Sequence, residues 1–70
     1  MIPLALANVG EDLIIRRIGG NAETKKHLED MGFVVGGNVK VLSSVVGDLI
    51  VNVKESRVAI SREMAGKIMV

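Results

Sequence analysis

Catalysis needs a nucleophile or an acid/base pair held in place, and this 70-residue chain supplies little of either. It has one histidine, His27, no cysteine and no tyrosine. Ser43 and Ser44 stand next to each other beside an expected turn, where serine is common on structural grounds alone. No Ser-His-Asp arrangement is suggested, so no catalytic residue is assigned and the chain is read as a non-enzyme.

The sharpest metal candidate is His27, with Glu23 four residues before it and Asp30 three after, all on one helical face. That gives three ligands at most, enough for weak binding of a divalent cation and no more. The plainer reading is a solvated face laced by the i,i+4 pairs Lys25 to Glu29 and Lys26 to Asp30. Gly19-Gly20 ahead of a helix resembles a phosphate cradle, yet no G-x-G-x-x-G or Walker pattern follows, so no nucleotide or other cofactor is expected.

What remains is surface. Arg16, Arg17, Lys25 and Lys26 could gather near one end of the domain and steer it toward an acidic patch on a partner, with an ordinary solvated surface as the plainer reading. Strands with aliphatic residues on both faces leave some of them outside a small barrel. Ile14, Leu42 and Ile50 are the apolar contact candidates, with burial under the N-terminal stretch as the alternative.

The elements that must hold these residues follow from pattern. Asp12 to Ile18 alternates and is rich in β-branched residues, with Leu13 and Ile15 on one face. A bulge near Arg16 and Arg17 would bring Ile18 back to the core. Asn21 is a good N-cap for the one clear helix, which buries Leu28 and Met31 and ends at Gly32. Phe33 falls where a Schellman motif makes its apolar contact with Leu28.

Three further strand-like runs follow, Val39 to Val41, Leu49 to Val53 and Val58 to Ile60, as an antiparallel meander. Ser61 caps one helical turn through Glu63 and Ala65, and Lys67 to Val70 supplies a last strand. Leu4 and Leu6 are expected to tuck beneath the barrel. The fold class is mainly β: a small five-stranded SH3-like barrel over residues 1 to 70, with one α-helix between strands 1 and 2 and a short helical turn before the last strand.

Composition agrees with a binding module. Apolar residues make up 49%, Phe33 is the only aromatic, and nine Lys plus Arg against eight Asp plus Glu leave a charge of +1. A single-strand nucleic-acid binder stacks bases on aromatics in a basic groove, and this chain has neither feature, so no nucleic-acid partner is expected. Ile2 to Ala7 is too short for a membrane span and has no basic flank, which predicts no direct membrane insertion. Absence of cysteine fits a reducing compartment, and the expected location is the cytoplasm.

In order and spacing the residues resemble the FeoA family of bacterial ferrous iron transport. The resemblance rests on the Pro3-Leu4 opening with Leu6 and Gly10, on Leu28-Glu29-Asp30-Met31-Gly32-Phe33, and on Gly36, Val39 and Val41. Gly47-Asp48, Arg57-Val58-Ala59-Ile60, Ala65, Ile68 and Val70 continue it. The chain departs from the family pattern at Val35 and Leu49, where proline is frequent, at Glu55, where glycine is, and at Lys26-His27 in place of an arginine.

The resemblance implies a small accessory protein that acts on the cytoplasmic part of the membrane GTPase-permease FeoB. The same barrel also occurs as the C-terminal domain of metal-dependent repressors, which implies as an alternative a metal-responsive, oligomerising module. A homo-oligomer is compatible with either reading.

Overall fold

The aliphatic runs become six strands in two antiparallel sheets in the computed structural model, which describes residues 1–70. Strands β1 (Asp12–Ile14), β3 (Asn38–Val45), β4 (Asp48–Val53) and β5 (Ser56–Ser61) form one sheet in the order β1-β3-β4-β5. Strands β2 (Arg17–Ile18) and β6 (Ile68–Met69) form the other. Helix α1 (Ala22–Asp30) lies between β2 and β3, and the single turn α2 (Arg62–Ala65) lies between β5 and β6.

Register explains the core. Because side chains opposite each other in a ladder share a face, Leu13, Val39 and Val53 line up on one side of the sheet, and so do Val41, Val51 and Val58. This inner face packs with Leu4, Leu28, Phe33, Ala65 and Ile68 into one apolar cluster that contains no polar or charged side chain.

Two features of the expected barrel are corrected. The run from Asp12 to Ile18 does not bulge within one strand; it changes sheets. Ile15 N–H donates to the Gly37 carbonyl at 2.9 Å, whereas the next amide, Arg16 N–H, donates to Met69 at 2.8 Å. Ile18 still reaches the core, but through β2 and not through a bulge. Six strands therefore replace five, and the ladder does not close into a barrel, because β2 and β6 pair with each other and not with either outer strand of the four-stranded sheet.

The helix is bounded by residues whose chemistry fixes its ends. Asn21 Oδ1 accepts from Thr24 N–H at 2.8 Å, with Glu23 in the first turn, where a negative charge suits the helix dipole. At the other end Phe33 N–H donates to Leu28 and Gly32 N–H to Glu29, both at 2.9 Å, which completes a Schellman motif. Gly32 has φ +107, a conformation that a side chain would strain. Leu28 and Phe33 are both fully buried, while Met31 is only partly so.

Elsewhere the boundaries shift. Ser61 caps α2 by accepting from Met64 N–H at 3.2 Å. The strand expected to end at Val41 runs on to Val45, so Ser43 and Ser44 lie inside β3 and not beside a turn. Leu4 is buried, but Leu6 is 70% exposed: the 3-10 turn Leu4–Leu6 sends only the first of the two leucines inward. Ile2 and Val70 exchange backbone hydrogen bonds of 2.9 and 2.8 Å, which ties the two ends of the described chain together beside β6.

Candidate interaction surface

The outer face of the four-stranded sheet carries the apolar candidates. Between Val41 and Ser43 the β3–β4 register shifts, leaving Leu42 as the extra residue of a bulge, with Ser43 opposite Ile50. Leu42 and Ile50, both half-buried, thus lie side by side, with Ala59 next in the same row. This bulge has no marker in the residue types, since Leu42 continues an ordinary apolar run.

Ile14 shares the face but not the patch. It stands opposite Asn38, four residues along β3 from Leu42, a separation of roughly 13 Å at the usual strand rise. Between them runs a polar row of Asp12, Lys40, Asn52 and Arg57. Lys40 Nζ and Asp12 Oδ1 approach to 3.9 Å across it, the one salt bridge of the molecule. Both side chains are exposed, so the pair contributes about 0 to 0.5 kcal/mol.

Beside that row the surface dips into an open cleft of about 360 Å³ lined by Asp12, Asn38, Lys40, Asn52, Lys54 and Glu55 with Val39. Lys54 and Glu55 form the two-residue turn between β4 and β5, and both have positive φ, 49 and 62. Two positive φ values define a type I′ turn, which glycine or asparagine enters readily and longer side chains only with strain. The sequence signal was present, since Glu55 is where the FeoA pattern frequently has glycine.

The four basic candidates lie on two segments of the chain. Arg16 and Arg17 sit where the chain passes from one sheet to the other, between the buried Ile15 and Ile18, while Lys25 and Lys26 are about 100° apart on α1. All four are exposed. The expected pairs Lys25 with Glu29 and Lys26 with Asp30 are not closed. His27, Glu23 and Asp30 are exposed along α1, and no group of three His, Cys, Asp or Glu side chains is placed to hold a metal ion.

A polar clamp absent from the sequence reading sits at the other end of the sheet. The Arg62 guanidinium donates to the Ala5 carbonyl at 3.2 Å and to Ser44 Oγ at 2.8 Å, joining α2, the N-terminal turn and β3. Its partners lie 57 and 18 residues away, too far for any local pattern to connect them.

Comparison with known proteins identifies the architecture. The FeoA domain model matches residues 2–70. The chain belongs to the FeoA family. A FeoA relative in Methanocaldococcus jannaschii, provisionally named Fe(2+) transport protein A, is 39% identical over 70 residues, spanning all of this chain and 85% of that protein. A crystal structure of the iron uptake regulatory protein FeoA superposes with a TM-score of 0.91 at 33% identity, covering 99% of this chain and 92% of the other.

More distant structures share the fold alone. Stenotrophomonas maltophilia FeoA complexed with zinc, described as a procaryotic SH3 domain protein, gives a TM-score of 0.84 at 22% identity over 100% of this chain and 89% of that one. A manganese-dependent transcriptional repressor gives 0.85 at 17% identity, over 94% of this chain but only 38% of its own. The fold is thus mainly β with SH3-like relatives, and this FeoA chain spans most of the length of its nearer ones. No helix is long and apolar enough to cross a membrane.

Proposed function

We propose that this FeoA chain serves ferrous iron transport as a cytoplasmic accessory protein that docks on the cytoplasmic part of a FeoB-type GTPase-permease. The observation that carries the reading is the family match across residues 2–70. The surface supports the mode: every titratable side chain lies outside the core, and the one cleft is open to solvent and lined mostly by polar residues, which suits contact with a neighbour better than enclosure of a substrate. Docking uses the outer face, with Leu42 and Ile50 as apolar anchors and the row of Lys40, Asn52 and Arg57 beside them. Arg16, Arg17, Lys25 and Lys26 add charge that speeds encounter without fixing its geometry.

The test is co-purification of this chain with the soluble part of the permease in the nucleotide-free, GDP and GTP-analogue states. Association in at least one state is the expected outcome, and absence in all three would overturn the proposal. Replacing Ile50 with Lys should weaken that association by about tenfold or more, as expected for a charge placed among buried contact atoms. Lys25→Glu should change mainly its rate of formation and its salt dependence.

A further inference from the structure

The two outer strands of the four-stranded sheet are unequal. β1 is three residues long, whereas β5 is six and has no strand on the side away from β4. The hydrogen-bond alternation shows which groups that free side presents. Ser56 is paired with Val53 across a two-residue turn, and Arg62 N–H donates to Gly47 at 2.9 Å as the ladder runs out. The even-numbered residues of β5 therefore bond to β4, and the peptide groups of Arg57 and Ala59 with the amide of Ser61 face outward.

Natural sheets guard such edges with proline, lysine, bulges or inward-pointing charge. β5 carries one charged residue, Arg57, and otherwise none of these: its sequence is Ser-Arg-Val-Ala-Ile-Ser with an unbroken register. It is also close to symmetric about Ala59. Turned antiparallel on itself, it sets Ala59 against Ala59, Val58 against Ile60 and Arg57 against Ser61, so the smallest side chain meets itself and no two arginines face each other. Val58, only partly covered as the edge strand stands, would gain an apolar neighbour on the inner face.

We propose that the free edge of β5 pairs with the same edge of a second copy of this chain, forming a two-fold dimer with an eight-stranded antiparallel sheet centred on Ala59. Pairing adds about four backbone hydrogen bonds and one Val58–Ile60 contact on each side of the axis. The arrangement is isologous, so it closes at two copies and does not propagate. It does not depend on the iron-transport reading, and its test uses the protein alone.

Sedimentation equilibrium of the whole chain should show mass rising from monomer toward dimer between about 10 μM and 1 mM, the range for a small interface. Ala59→Lys sets two ammonium groups across the axis and should weaken dimerisation by about fivefold or more, and Ala59→Glu should do the same. Mixing the Lys and Glu variants should restore a dimer containing one copy of each, a result that arises only if position 59 faces its own counterpart. Position 59 is exposed, so both variants should keep the wild-type circular dichroism spectrum. A wild-type chain that stays monomeric at 1 mM, single variants that still dimerise, or a mixture that does not would each overturn the proposal.

Discussion

The two ends of this sheet are held by different physics. At the end under α1, Leu28, Phe33 and Val53 are buried without a polar atom among them, and the helix closes on a Gly32 cap whose carbonyls are bonded. At the β3–β4 hairpin end, Val45 and the fully exposed Val46 lie in solvent, and the exposed Arg62 clamp adds polar links to the burial of Leu4, Leu49 and Ala65. Apolar burial removes the alternatives a side chain could adopt, whereas exposed hydrogen bonds compete with water at every moment. One end is held by burial alone, and the other adds water-exposed hydrogen bonds to it.

The contrast can be broken most severely at the helix end. Phe33→Ala should remove about 3–5 kcal/mol, as large-to-small changes of buried aromatics do. That is comparable to the whole stability of a chain this size without disulfides, so circular dichroism in a urea titration should show most of the molecules unfolded before denaturant is added. Gly32→Ala should lose about 1–2 kcal/mol in the same assay. A Cβ there would meet Lys54 Cδ only at an ordinary 3.6 Å, so the loss comes from the positive φ and not from crowding.

The β4–β5 turn reverses the sign. Glu55→Gly should stabilise the chain by up to about 1 kcal/mol, because glycine enters positive φ without the steric penalty, although part of the gain is offset by greater freedom when unfolded. A shift of the urea midpoint upward is the readout, and a downward shift would mean that Glu55 makes a contact that outweighs the strain.

At the hairpin end Arg62→Ala should change global stability by about 1 kcal/mol or less. It should nevertheless speed hydrogen exchange at the amides of Leu6 and Ala7, leaving that of Phe33 protected. Equal acceleration at all three would erase the distinction between the two ends. Smallest of all, Asp12→Asn should alter stability by less than about 0.5 kcal/mol, and high salt applied to the wild type should do no more.

Much of this architecture was legible in local chemistry. Asn21, Gly32 and Phe33 mark a helix start, a helix end and an apolar anchor within thirteen consecutive residues, and each acts through groups a few positions away. The meander of β3, β4 and β5 was legible for the same reason, since short turns join neighbours. The candidate surface was harder to see. Ile14, Leu42 and Ile50 were placed on an outer face by alternation, but only the bulge at Leu42 decided that two of them meet and the third stands apart.

By itself the sequence determined what depends on near neighbours: caps, turns, alternation, core residues such as Leu28 and Phe33 though not Leu6, and, through the order of those signals, the FeoA resemblance. The tertiary structure alone decided where the chain passes from one sheet to the other at Ile15 and Arg16, that β5 keeps a free edge, and that Arg62 reaches Ala5 and Ser44. These are contacts between segments distant along the chain. Their geometry follows from how the whole set of strands packs around Phe33, and no window of residues contains that information.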